Sequence, residues 1–129
     1  MLFRSGFGFL GHLMEMAEGS GLSARINARQ LPLIQEAIPL MDQFVFPDNT
    51  YRNWNAYEHK TVGVSGPEFI SLCDPQTSGG LLLAVSPQAV QDVVRTLAKA
   101  PVSVPIQPVG VLLPRRVDGK VVEIGRAHV

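Results

Sequence analysis

Apolar residues recur at three- and four-residue steps over residues 6–18. Phe7, Leu10, Leu13, Met14 and Ala17 share one side, and Glu15 and Glu18 fall toward the other. That spacing predicts an amphipathic helix. Gly19-Ser20-Gly21 closes it, because glycine readily takes the left-handed conformation that ends helices. Residues 22–28 alternate instead, with Leu22, Ala24, Ile26 and Ala28 set against Ser23, Arg25, Asn27 and Arg29. A period of two predicts a half-buried strand. Residues 30–38 predict a short helix entered through Pro32, which Pro39 breaks or kinks, and residues 40–46 continue it as a second helical piece. Leu33, Ala37, Leu40, Met41 and Phe44 make its expected buried side.

Residues 47–67 lose the pattern. Asp48, Asn49, Thr50, Tyr51, Arg52, Asn53, Trp54, Asn55, Tyr57 and His59 crowd into what reads as a long polar loop. Such loops carry function disproportionately. Trp54 and Tyr57 read as its anchors. Residues 68–72 predict a helix end or a short strand. Leu81-Leu82-Leu83-Ala84-Val85 is continuous rather than alternating, which predicts a strand buried on both faces in mid-sheet. Ser86-Pro87 then starts a helix. Val90, Val93, Val94, Leu97 and Ala98 give it the stripe of a helix lying on a sheet. Residues 106–113 and 120–122 predict two further strands joined by a turn over residues 115–119. The expected fold is α/β (α+β): a two-layer sandwich of a mixed β-sheet with helices packed mainly on one face.

Length and charge narrow the picture. The 129 residues suffice for one domain with a real core. Apolar content of 46% against 17% charged residues indicates a globular chain rather than a disordered one. Eleven basic and eleven acidic residues cancel, and no basic stripe favours nucleic acid. No apolar run approaches the ~18 residues needed to span a bilayer. The single cysteine, Cys73, excludes an internal disulfide and suits a reducing, cytoplasmic compartment. No Cys–His–acid constellation accompanies it, so it reads as a small buried residue. Met14 and Met16 read as core fillers, and His12 as structural, with approach to a phosphate as its second reading.

The chemistry concentrates in Asp74-Pro75-Gln76-Thr77-Ser78-Gly79-Gly80, which runs straight into the apolar stretch. Pro75 fixes its own φ and pushes Asp74 out of the helical region. Gly79 and Gly80 remove two side chains where the chain turns sharply or passes close to something. Two readings stand: a tight structural turn, or bare backbone whose N–H groups bind an anion.

With Leu81-Leu82, this stretch resembles the DPQTSGGLL signature of the selenophosphate synthetase (selenide, water dikinase) family. Gly6-Phe7-Gly8-Phe9-Leu10-Gly11-His12-Leu13-Met14-Glu15-Met16-Ala17 is similar to the GFGLLGHLLEMA segment that opens that family's C-terminal domain. Residues 6–122 are covered, which implies an aminoimidazole ribonucleotide synthetase-like C-terminal domain. Residues 1–5 and 123–129 resemble translated sequencing adapter. The chain therefore reads as a piece of a longer protein, partnered by its N-terminal domain and forming a homodimer in full length.

The resemblance implies an enzyme that converts selenide, ATP and water to selenophosphate, AMP and phosphate, with ATP as substrate and Mg²⁺ as metal. It implies a phosphate- or nucleotide-facing wall made by Gly6, Phe7 and Gly8 at a helix N-terminus, and by Thr77, Ser78, Gly79 and Gly80 opposite. Arg52 and Asn53 match an Arg-Asn pair near the nucleotide end of the family's domain and are substrate-facing candidates. For Asn53 the other reading is a helix cap. Asp74 is a supporting acceptor or a cap. The resemblance implies no catalytic nucleophile here, because the family's reactive cysteine or selenocysteine lies near the N-terminus of the full protein, and no metal ligand, because the metal aspartate of the family's DVTGFG version falls at Phe3. The fragment alone is expected to be inactive. Two alternatives remain: another ATP-dependent enzyme of the same superfamily, such as aminoimidazole ribonucleotide synthetase or thiamine-monophosphate kinase, or a non-catalytic binding domain.

Overall fold

The computed structural model describes residues 6–76, 80–101 and 106–126. The first helix, α1 (Gly8–Gly19), forms where the apolar spacing predicts it. Leu10, Leu13, Met14 and Ala17 are all buried on its inner side. Its end is capped twice: the Ser20 backbone N–H donates to the Met16 and Ala17 carbonyls, and the Ser20 hydroxyl donates to Met16 O at 2.7 Å.

Strand β1 (Leu22–Asn27) follows and becomes the centre of the sheet. The alternation seen in the sequence decides its faces. Ala24 and Ile26 turn toward α1, joined by Val122 and Ile124 of β4 (Val122–Gly125), which runs parallel to β1. Arg25 and Glu123 sit in register on the opposite face and pair at 3.0 Å. On the other flank, β3 (Gly110–Pro114) pairs antiparallel with β1. A two-residue β2 (Thr61–Val62) adds to β4 in parallel, giving the order β2-β4-β1-β3. The sheet is mixed, with helices on it, as the α/β expectation required. Fully burying a side chain such as Leu10 or Val122 stabilises by about 1.5–3 kcal/mol.

Several expectations are corrected. Residues 47–67 are not a long loop. Pro47 and Asp48 open a helix, α3 (Asp48–Tyr57), and β2 follows. Residues 68–72 are helical: α4 (Glu68–Leu72) buries Phe69, Ile70 and Leu72. Residues 30–46 form only isolated turns and a one-turn helix, α2 (Ile38–Asp42), which are too short to hold a common buried face. Leu33, Leu40 and Phe44 are therefore exposed, while Ala37 and Met41 are half-buried.

The largest departure is residues 81–85. They join no ladder, and Leu81 and Leu83 stand 72% and 52% exposed. A strand exists only through a neighbour's backbone, and residues 81–85 pair with neither open edge of the sheet, that of β3 or that of β2. Only Leu82 packs against the core as a partly buried residue. The following helix, α5 (Val90–Ala98), is led by a 3₁₀ turn at Pro87–Ala89 as Ser86-Pro87 predicts. It packs chiefly against that turn, with no residue buried, rather than lying on the sheet. The third strand starts at Gly110 rather than 106, and the last one runs on to Gly125 with Ile124 in the core.

Candidate functional site

Three separate stretches of the chain meet at one point: the turn into α1, the middle of α3, and the exit from α4. The α3 helix is held in place by its aromatic side chains. The Trp54 ring stacks on Phe69 of α4 at 6.0 Å, and Tyr51 lies 5.3 Å from the same ring. Asn53 is thereby turned inward and left 8% exposed. Its side-chain amide Nδ2 donates to the Gly6 carbonyl at 2.6 Å and to the Cys73 carbonyl at 2.9 Å. One amide thus holds the glycine turn against the start of the Asp74 stretch.

The glycine turn leaves no slack. Gly8 has φ +75°, and a Cβ there would lie 2.8 Å from the Cys73 carbonyl carbon and 3.0 Å from Asp74 O. No side chain fits, and the left-handed conformation itself favours glycine. Gly6 shares that region at φ +56° and faces Pro75. Cys73 caps α4, its backbone N–H donating to Phe69 O at 2.9 Å. Burial pushes its thiol up to about 12, so at neutral pH it is neither thiolate nor nucleophile. Asp74 is half-buried and accepts a long contact from Gln76 Nε2 at 3.4 Å. Phe7 is exposed, its ring 6.3 Å from that of His12.

Residues 3–122 match the family model described as "AIR synthase related protein, C-terminal domain". The chain belongs to this family. It is similar to the selenide, water dikinase of Pseudomonas putida, 39% identical over 112 residues, which is 87% of this chain and 32% of the relative. The Aeromonas hydrophila selenide, water dikinase is 40% identical over 111 residues, 86% of this chain and 32% of the relative. That of Haemophilus influenzae is 39% identical over 120 residues, 93% of this chain and 34% of the relative. The chain thus spans about a third of the length of these curated relatives.

Within this AIR synthase-related domain, the expected site residues are only partly gathered. Gly6, Gly8, Asn53 and Asp74 come together at the junction. Arg52 and Asn53 part company: successive helical residues point about 100° apart. Arg52 is exposed, and its guanidinium donates to Asn49 Oδ1 at 3.4 Å. Gly80 is exposed, and no described residue lies within 4 Å of where its Cβ would stand. Thr77, Ser78 and Gly79 lie outside the described residues. Among the described residues no group of three or more His, Cys, Asp or Glu side chains could hold a metal ion.

Two features escaped the sequence reading. One is the role of the Cys73 carbonyl as an acceptor, which no side-chain pattern announces. The other is the burial of Thr50 and Asn53 on one face of α3. Pro47-Asp48, a helix-start signal, was the clue available for that helix. An open cleft lies elsewhere, lined by Trp54, Glu58, His59, Val62 and Lys120, and none of the motif residues lines it.

Proposed function

We propose that the chain is the C-terminal part of an ATP-dependent selenide, water dikinase, and that its glycine turn and Asp74 stretch form one wall of the phosphate site. Supporting this reading are the names of its relatives and the contact of Gly8 with the Cys73–Asp74 backbone, which carries it. A glycine turn at a helix N-terminus, set against the backbone of the Asp74 stretch, can aim N–H groups at an anion. Phosphoryl transfer asks mainly for such positioning and charge neutralisation. Arg52 is the proposed charged contact. Its exposed guanidinium can offer a phosphate two parallel donors.

Mg²⁺ takes several oxygen ligands. The described carboxylates do not gather into such a set, so the metal would be held chiefly by the rest of the enzyme. That remainder, an N-terminal domain of the same polypeptide, is the proposed partner, in a cytoplasmic homodimer. Exposed Leu33, Ile34, Phe44 and Leu81 are apolar surface suited to docking it.

The test is a graft. Residues 6–122 replace the matching segment of the Pseudomonas putida relative, and selenide-dependent release of AMP from ATP is measured for the graft and for the isolated chain. The expected result is activity in the graft and none in the isolated chain. A folded graft without AMP release, or one that turns over without selenide, overturns the reading.

A further inference from the structure

We infer that Asn53 is a positioning residue, whose amide sets the spacing between the two backbone segments of the phosphate wall. The inference rests on the proposed reading of that wall and adds a part for a residue that the sequence pointed at substrate. Asn53 does not aim its donors outward. Both contacts of Nδ2 end on main-chain carbonyls, one 47 residues away in sequence and the other 20. Those carbonyls belong to Gly6, at the entry to the glycine turn, and to Cys73, the residue before Asp74.

Three observations make this tie specific. First, the acceptors lie at chain ends of elements rather than in a ladder, so removing the amide leaves a buried acceptor at Cys73 without that partner. Second, Gly8 runs so near Cys73 and Asp74 that a Cβ on it would lie 2.8 Å from the Cys73 carbonyl carbon. The missing side chain lets the two segments come together, and Asn53 keeps them from moving apart. Third, the residue sits on a helix fixed by stacked rings, so the tie is anchored to a rigid element. The side chain also has little latitude. Aspartate has the same shape but no donor, and its charge would face two carbonyl oxygens. Glutamine adds a methylene where the donors already sit at 2.6 and 2.9 Å. A site that works by holding donors at fixed separation is sensitive to shifts of about 1 Å, which can cost on the order of a hundredfold in rate.

Two measurements test this. In the isolated 129-residue chain, amide hydrogen exchange is followed for Asn53→Ala and Asn53→Ser. Faster exchange at the first bonded amides of α1, residues 11–13, and at the Cys73 amide, which is bonded to Phe69 O, with β1 and β4 unchanged, is expected. Unchanged exchange at both segments, or a uniform rise across the chain, overturns the tie. In the grafted enzyme, kcat and KM for ATP are measured separately for Asn53→Asp and Asn53→Ser, at a temperature where both are folded. A fall in kcat of tenfold or more with KM within threefold is expected. If kcat stays within twofold while only the melting temperature drops, the residue is merely structural. If the loss lies wholly in KM, Asn53 touches substrate directly. Either result overturns the inference. An inactive unmutated graft would fault the dikinase reading instead, and the exchange experiment then decides the tie by itself.

Discussion

The Asn53 amide donates to the Cys73 carbonyl at 2.9 Å, and the same nitrogen donates to Gly6 at 2.6 Å. A helix in the middle of the chain thus holds together the two motifs that flank it in sequence.

Gly8→Ala should be among the most damaging small substitutions. The new methyl would meet the Cys73 carbonyl carbon at 2.8 Å in a left-handed backbone. The conformational penalty alone is about 1–3 kcal/mol, and the contact adds to it. Urea unfolding of the isolated chain should show a loss of at least roughly 2 kcal/mol. A change under about 0.5 kcal/mol, the range of ordinary surface substitutions, would mean that the turn is loose.

Arg52→Ala should separate cleanly from its neighbour. The side chain is exposed and, among the described residues, makes one long contact, so stability should move by less than about 0.5 kcal/mol. In the grafted enzyme its loss should raise KM for ATP several-fold, and Arg52→Lys should recover only part of this, since lysine lacks the planar fork. An unchanged KM would remove Arg52 from the phosphate wall.

Cys73 imposes a direction on alkaline stability. Its thiol is raised from the ordinary 9.0 to about 12 by burial, so the folded chain keeps its proton where the unfolded chain loses it. The contribution is fully present below pH 9 and is lost as the pH rises from 9 to about 12. Melting temperature should therefore decline across that window, and Cys73→Ala should flatten the decline. The native thiol should also resist alkylation at pH 8, reacting only once the chain unfolds. Fast alkylation of the folded chain would contradict the burial.

Asp118 acts at the other end of the scale. Its carboxyl is lowered from 3.8 to about 2, first by the Arg116 side-chain hydrogen bond and then by the Lys120 backbone N–H. Stability from this turn is present above pH 3.8 and lost as the pH falls toward 2. The Asp118→Asn protein should melt with a shallower dependence on pH between 4 and 2. Because the pair is exposed, raising salt should weaken it in the unmutated chain. An identical acid limb in both proteins would show that the turn contributes nothing there.

What the sequence determined by itself were the elements whose pattern is local. The stripe of α1 and the alternation of β1 specify both the element and the face it buries, because side-chain direction follows directly from backbone period. The paired motifs, and the family they point to, were equally legible. What only the tertiary structure decided were matters of pairing. The run Leu81 to Val85 reads as a core strand, yet a strand needs a neighbour's backbone, and this run pairs with neither open edge of the sheet. Strand β2 is two residues long and exists through the β4 ladder. Arg52 and Asn53 looked like one functional pair. Helical rotation sent one to solvent and the other to the junction, because α3 turns its aromatic face onto α4 and carries Asn53 in with it. Which carbonyls that amide would find depended on chain segments 20 and 47 residues away, a distance across which no local pattern carries information.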